Sequence, residues 1–251
     1  MLAATHEIYG ILNQAADEIQ QTTSATTGKI QIGFLSSVED AAFDAFIAHY
    51  YTLHPDVEIS FRMMTRHEIW ERLENNQIDL AIMYLPDDTI KNWKPYDSRK
   101  IIDEELLYIH HDDTIAEDVP VRYQDATATP WVTYPEDYFL SHRLREAFKN
   151  ELVDMPQGVA QFTTPYQLVQ FVNRTGVNTA LPTSFYQAHK NQIKAQANPF
   201  QPAINFELAF VYRKEKVDIP RIAAFFDEFN NYFSQQDYLS RLVANRVKLG
   251  E

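Results

Sequence analysis

The sequence predicts an α/β protein built from two Rossmann-like βαβ lobes in tandem. Strands and helices alternate along the first third of the chain, and the same alternation recurs after residue 129. In addition, 45% of the 251 residues are hydrophobic, which is ample for a core. Two lobes of this kind have a cleft between them, and ligands of open α/β sheets bind outside the carboxyl ends of the strands. The fold class therefore predicts where a ligand binds.

A helix is predicted at residues 5–21, followed by a flexible polar linker at 22–28, "TTSATTG". The apolar residues of this helix have the a and d spacing of a coiled coil and are Ile8, Leu12, Ala15 and Ile19. Two interpretations stay open, a seam between two helices and a helix packed on its own domain. The narrow stripe favours the seam, because packing on a domain normally uses a wider one.

The first lobe has the pattern βαβαβ. Its strands are predicted at 29–35, 56–64 and 79–85, and its helices at 37–52 and 66–75. Apolar and polar residues alternate along the strand "VEISFRMM". Four apolar residues share one face of the first helix, at positions i, i+3, i+4 and i+7: Phe43, Phe46, Ile47 and Tyr50. This order of elements predicts a parallel sheet with crossover helices.

The second lobe repeats the pattern. Its strands are predicted at 130–134, 158–162 and 177–181, and its helices at 137–150 and 165–175. Pro165 occupies the first position of its helix and Gly176 ends that helix. The remaining elements are a helix at 184–190, a strand at 204–214 and helices at 219–234 and 237–247. We expect the last strand to return to the first lobe and the final helices to pack there.

Composition excludes several classes of function. The net charge of −13 repels a phosphate backbone, so we expect no specific DNA binding by this chain alone; solubility also accounts for the charge. The absence of cysteine excludes disulfides and thiolate sites. No apolar run is long enough to span a membrane and no signal peptide is recognisable, so a cytoplasmic protein is expected. No motif indicates a catalytic centre or a cofactor, and the "HHDD" run at 110–113 has poor spacing for a metal.

Several motifs resemble the effector-binding domain of LysR-type transcriptional regulators. They are the strand "GKIQIGF", the helix end and strand "HPDVEI", the segment "LENNQIDLAI" and the later "FVNRTGVNTALP". The resemblance implies a periplasmic-binding-protein type II-like fold with a linker helix at 1–27, lobe I at 28–108 plus 209–251, and lobe II at 109–208. It also implies a homodimer or homotetramer. The family's helix-turn-helix is missing from this chain, so DNA would be bound only through that domain.

The strand-to-helix turns carry the candidate ligand groups. Ser36 with Glu39, Thr65 with Glu68, and Thr164 with Gln167 have the spacing of capping boxes, and free N–H groups at a helix N-terminus also bind anions. Capping and ligand binding therefore both stay open for these hydroxyls. The resemblance implies the following ligand contacts: Ser36, Ser37, Thr65, Tyr134, Pro135, Phe139 and Thr163.

Arg66 could pair with a carboxylate of the ligand, or be a solvated residue of the first helical turn. The resulting hypothesis is an effector-sensing and oligomerising domain that binds a small metabolite, an anionic carboxylate, in the cleft and is not an enzyme. The alternative is a cytoplasmic solute-binding protein or an enzyme on the same fold. An export signal would favour a binding protein, and a nucleophile or metal motif would favour an enzyme; neither is present.

Overall fold

The computed structural model describes residues 25–87, 90 and 92–248, the last three by their backbone only. The helix predicted at 5–21 and its seam, Ile8, Leu12, Ala15 and Ile19, lie outside these residues. The chain divides into two compact units. Unit 1 runs to Ile101 and resumes at Leu208, and unit 2 is Ile102–Glu207. Two long strands, β4 (Tyr96–His110) and β9 (Gln196–Arg213), each run from one unit into the other.

Unit 1 contains the predicted βαβαβ arrangement, in the order β1 (Gly28–Leu35), α1 (Ala41–Leu53), β2 (Val57–Met64), α2 (Arg66–Glu74) and β3 (Leu80–Leu85). The strands lie in the order β2–β1–β3, and both pairings are parallel. The register of β1 and β2 runs from Gly28 opposite Val57 to Leu35 opposite Met64. The predicted parallel sheet is therefore confirmed, and the carboxyl ends of its strands lie at one edge.

The C-terminal elements of unit 1 are a 3₁₀ helix (Lys214–Asp218), α6 (Pro220–Gln235) and α7 (Tyr238–Lys248). Aromatic rings hold α6 against α1: the ring centroid of Phe46 lies 5.2 Å from that of Phe225 and 5.1 Å from that of Phe229. Phe46 and Tyr50 of the predicted apolar face are fully buried. Helix α1 is thus fixed by ring packing on the side away from its solvent face.

A buried ion pair ties β1 to the segment before β3. The Lys216 ammonium lies 2.8 Å from Oδ1 of Asp79, and Oδ2 of Asp79 accepts the N–H of Gln31 at 2.8 Å. The Asp79 N–H donates in turn to the Gln31 carbonyl at 2.8 Å. Lys216 is 1% exposed. Because both carboxylate oxygens and the cation are paired, the charges are tolerated in the core.

Unit 2 has a less regular arrangement. Its further elements are β5 (Val121–Arg122), a 3₁₀ helix (Asp125–Thr127), β6 (Trp131–Thr133), α3 (Phe139–Asn150), β7 (Gly158–Gln161), α4 (Pro165–Thr175), β8 (Thr179–Pro182) and α5 (Thr183–His189). Strands β6 and β7 pair in parallel, as the βαβ pattern predicts, whereas β8 pairs antiparallel with β4. The alternation of elements predicts which segments are strands, but long-range packing selects their neighbours.

The core of unit 2 combines stacked rings with a buried carboxyl group. Tyr108 stacks on Trp131 with centroids 5.5 Å apart, and the indole N–H of Trp131 donates to the Ala126 carbonyl at 2.9 Å. Glu104 is bonded by the main-chain N–H and the hydroxyl of Ser184. Burial raises the pKa of Glu104 to about 7 even though both bonds lower it. The side chain therefore titrates near neutral pH.

Replacing the buried lysine should destabilise the protein strongly. Lys216→Met keeps most of the side-chain volume but leaves the Asp79 carboxylate buried without this partner. We expect the free energy of unfolding in urea to fall by about 3–5 kcal/mol.

Lys29→Met is the matched control, since Lys29 lies 2.7 Å from Glu58 but both side chains are well exposed. Its cost should stay below about 1 kcal/mol. Equal losses in the two variants would show that burial does not distinguish the pairs.

Candidate ligand-binding site

The turn between β1 and α1 presents two serines at the carboxyl edge of the sheet. The Ser36 N–H donates to the Met64 carbonyl at 3.0 Å, and the Ser37 carbonyl accepts the Tyr84 hydroxyl at 3.2 Å. Among the residues that the structure describes, neither serine hydroxyl has a hydrogen-bond partner. Ser37 is buried and Ser36 is partly exposed. Main-chain bonds thus hold the turn while both hydroxyls remain uncommitted.

The capping box predicted for Ser36 and Glu39 is wrong. Helix α1 begins at Ala41, four residues later than predicted, and its N-cap Asp40 makes no side-chain capping bond. Oε1 of Glu39 accepts the Ala41 N–H at 3.3 Å, and Glu39 is itself buried. Because the helix begins at Ala41, Ser36 lies too far upstream to act as its cap. The buried Glu39 supplies the hydrogen-bond acceptor at the start of the helix instead.

The capping box of Thr65 and Glu68 is confirmed. Oε2 of Glu68 accepts the Thr65 N–H at 2.8 Å and the Thr65 hydroxyl at 2.9 Å, and the Glu68 N–H donates to Oγ1 of Thr65 at 3.3 Å. These bonds lower the pKa of Glu68 and so favour its ionised form. Since Leu35 lies opposite Met64, Ser36 and Thr65 follow directly on paired residues. The two turns are therefore neighbours.

Arg66 is paired within the chain. Its Nη1 lies 3.6 Å from Oδ1 of Asp87, whose side chain is fully buried and whose Oδ2 accepts the indole N–H of Trp70 at 2.7 Å. The side chain of Arg66 is 21% exposed, so it is neither fully solvated nor unpaired. Asp87 was not among the predicted residues. Its place directly after β3, in "LPDD", was the available signal, because β3 ends at the same edge as β1.

In unit 2, the predicted residues follow the paired strands β6 and β7. Thr133 lies opposite Gln161, and the Phe162 N–H donates to the Thr133 carbonyl at 3.0 Å, so the turns after the two strands are adjacent. Thr163 is exposed and its hydroxyl lies 3.3 Å from Oε1 of Gln167. The capping box of Thr164 and Gln167, with Pro165 at the first helical position, is confirmed.

Tyr134 has its hydroxyl buried in the interior of unit 2. The residue is 3% exposed, and its hydroxyl has no hydrogen-bond partner among the described residues. Burial raises the pKa of this hydroxyl well above its ordinary value. With Ser141 and Leu144, Tyr134 lines a small cavity beneath α3. The hydroxyl proposed from the sequence as a ligand donor is thus enclosed by the protein.

Pro135 and Phe139 frame the start of α3. The Pro135 carbonyl accepts the Tyr138 N–H at 3.0 Å, and no side chain caps the helix at Tyr138. Phe139 is buried and its ring lies 5.7 Å from that of Phe206. Phe139 therefore packs in the core of unit 2, whereas Pro135 shapes the turn before the helix.

The described part of the chain contains no group of three or more His, Cys, Asp or Glu side chains placed to hold a metal ion. In the "HHDD" run, Nε2 of His110 lies 2.8 Å from Oδ1 of Asn198, and Nδ1 accepts the Asp112 N–H at 3.1 Å. Both ring nitrogens are therefore engaged within the protein. None of the described helices has the length and apolarity needed to cross a membrane.

Comparison with known proteins gives a consistent result. The model of the family described as "LysR substrate binding domain" matches residues 23–234. The HTH-type transcriptional regulator GbpR of Azospirillum brasilense is 25% identical over 170 residues, which cover 66% of this chain and 48% of that protein. The regulator YofA of Bacillus subtilis is 21% identical over 92% of this chain and 76% of its own length. The chain thus spans about half the length of the first relative.

Solved structures show the same fold. A mutant of OxyR from Corynebacterium glutamicum has a TM-score of 0.71 at 14% identity, over 99% of this chain and 74% of that one. The regulatory domain of OxyR from Pseudomonas aeruginosa has a TM-score of 0.65 at 14% identity, over 83% of this chain and 100% of that one. At such identities the likeness concerns the fold alone.

Deleting the Tyr134 hydroxyl should not destabilise the protein. In Tyr134→Phe, a buried group without a partner is removed, and its desolvation penalty disappears with it. We expect the free energy of unfolding to stay constant or to rise by about 1 kcal/mol in urea denaturation.

Tyr108→Phe provides the contrast, because the Tyr108 hydroxyl accepts a bond of 2.6 Å from the buried amide of Asn178. That variant leaves the amide unpaired and should lose about 1–3 kcal/mol. A loss of the same size in Tyr134→Phe would mean that this hydroxyl has a partner.

Proposed function

Because the chain belongs to the LysR substrate-binding domain family, we propose that it senses a small carboxylate metabolite for a LysR-type transcriptional regulator. It is the effector-binding domain of such a regulator. In the proposal the ligand is held at the turns that follow β1 and β2 of unit 1, in the cytoplasm, and its binding is relayed to the helix-turn-helix segment of the regulator.

The observation that carries the proposal is the pair of uncommitted hydroxyls at Ser36 and Ser37. A buried polar group seldom lacks a hydrogen-bond partner in a native protein, and Ser37 is buried. Here the helix start is served by Glu39 instead. Two hydroxyl donors side by side suit a carboxylate, which accepts at two oxygens.

The alternative, an enzyme or a solute-binding protein on the same fold, has weaker support. The two relatives, GbpR and YofA, match 66% and 92% of this chain, and both carry the names of transcriptional regulators. In addition, among the described residues of unit 1 the candidate side chains form no nucleophile–base pair, because the serine hydroxyls have no partner there that could take their protons. We therefore propose ligand sensing without turnover.

Self-association is the second part of the proposal. Three large apolar side chains of unit 1 are more than half exposed: Tyr51, Leu53 and Met63. Tyr51 and Leu53 lie at the end of α1, and Met63 lies on β2, the outer strand of the sheet. An outer strand that exposes an apolar side chain suits a second copy of the chain. We propose a homodimer or homotetramer in which Met63 and this outer strand are covered.

The ligand proposal is tested by a screen of small carboxylates for a rise in melting temperature. A ligand at a hundred times its Kd adds about 2.7 kcal/mol of stability, which such a scan detects. For the best ligand, the double variant Ser36→Ala/Ser37→Ala should raise the Kd about tenfold or more in calorimetric titration, because the carboxylate loses two donors.

Ser234→Ala is a control, as the Ser234 hydroxyl donates to the Asn231 carbonyl on the surface of α6. It should bind the ligand like the parent. A double serine variant that also binds like the parent would refute the assignment of the site.

The assembly proposal is tested by light scattering at micromolar concentration. We expect at least a dimer mass for the parent, and a Kd of self-association raised about tenfold or more in Met63→Lys, because a charge would be buried against the partner. Leu152→Lys is the matched control, since Leu152 is 94% exposed in unit 2. A monomer mass for the parent would contradict the proposal.

A further inference from the structure

The hydroxyl proton of Thr65 is already used within the protein. Oγ1 of Thr65 lies 2.9 Å from Oε2 of Glu68. An ionised carboxylate only accepts hydrogen bonds, so the proton between these two oxygens belongs to the threonine. Glu68 is ionised at neutral pH, as an ordinary glutamate is, and its bonds to Thr65 lower its pKa further. The geometry therefore determines which atom donates.

The remaining capacity of Thr65 is that of an acceptor. A hydroxyl has one proton and two lone pairs. The proton is donated to Glu68, and one lone pair receives the Glu68 N–H at 3.3 Å. The Thr65 N–H is also committed, to Oε2 of Glu68. The exposed Thr65 can therefore still offer one lone pair to a ligand. The protons of the two neighbouring serine hydroxyls make no hydrogen bond to the described residues, so they remain available for donation.

The charges around the start of α2 have no positive excess. Glu68 and Asp87 carry two negative charges, and two arginines balance them: Arg66 is paired with Asp87, and Arg72 helps to lower the pKa of Glu68. The sum is about zero. Charge therefore does not draw a carboxylate to Thr65, and the hydrogen bonds decide which group binds there.

We infer that the metabolite carries a hydrogen-bond donor as well as a carboxylate, with the carboxylate at Ser36 and Ser37 and the donor at Thr65. The inference rests on the proposed function and narrows its ligand to hydroxy acids and amino acids. Neighbouring strands lie about 4.8 Å apart, so donor and carboxylate are separated by one or two carbon atoms. A simple carboxylate has no hydrogen-bond donor for the free lone pair of the Thr65 hydroxyl.

The test compares ligands that differ only at the second carbon. Calorimetric titrations are made with three series, each with an unsubstituted, a hydroxylated and an aminated member: succinate, malate and aspartate; propionate, lactate and alanine; phenylacetate, mandelate and phenylglycine. In the series that binds, we expect a substituted member to bind about tenfold or more tightly than the unsubstituted one, as it supplies a donor to a fixed acceptor.

Variants show whether Thr65 produces this preference. Thr65→Val deletes the acceptor and should bring the ratio of the two Kd values close to one. Glu68→Ala releases the threonine proton, so the unsubstituted acid should gain relative to the substituted one. Thr164→Val is the matched control, because it removes an equivalent capping box of unit 2. This variant should leave the ratio of the two Kd values unchanged. A variant that only lowers the stability of the fold should also leave it unchanged.

Each outcome decides the matter. An unsubstituted acid that binds as tightly as its substituted partners overturns the inference and leaves the proposed function standing. A preference that persists in Thr65→Val also overturns it. If no member of any series binds, carboxylate sensing by this site fails, and the inference fails with it.

Discussion

The parallel register of β1 against β2 determines the position of every candidate ligand group in unit 1. Because Leu35 lies opposite Met64, the residues that leave the two strands, Ser36 and Thr65, are brought side by side at one edge of the sheet. The main-chain bond from Ser36 to Met64 extends this pairing into the turn. A slip of one residue would turn the serines to the other face.

The buried pair of Asp79 and Lys216 helps to hold this register. Asp79 bonds both main-chain groups of Gln31, in the middle of β1, and its second oxygen meets the lysine ammonium from the 3₁₀ helix after β9. A residue from the end of the chain thereby stabilises the strand at its beginning. The sheet edge is thus supported from the core, and the turn between β1 and α1 needs no bonds from its serine hydroxyls.

Capping and ligand binding compete for the same hydroxyl groups, and the two turns of unit 1 differ in which one prevails. At α2 the Thr65 hydroxyl is the cap, and its proton is donated to Glu68. At α1 the Glu39 carboxylate accepts the first N–H of the helix, so the serine hydroxyls make no capping bond and have no partner among the described residues. In the proposed site, one edge would therefore offer a ligand two donors and one acceptor, a pattern that distinguishes ligands by both charge and shape.

Much of unit 1 could be predicted from its sequence, because alternation and capping are local signals. The boxes at Thr65 and Thr164 follow from residues three positions apart, and both are present. The predicted start of α1 is wrong. Ser36 and Glu39 have the same spacing as the two true capping boxes, and only the structure shows that the Glu39 carboxylate accepts the Ala41 N–H instead. Two long-range features had no local signal: the pairing of β8 with β4 and the enclosure of Tyr134.

Within the described residues, the serine hydroxyls of the β1–α1 turn have no structural task, whereas the Thr65 hydroxyl caps α2. The most direct measurement is the free energy of unfolding without ligand, by urea denaturation, for Ser36→Ala/Ser37→Ala and for Thr65→Val. We expect a change within about 0.5 kcal/mol for the serine variant and a loss of about 1 kcal/mol for the threonine variant. A loss of 1 kcal/mol or more in the serine variant, by the same scale of capping energies, would contradict the account.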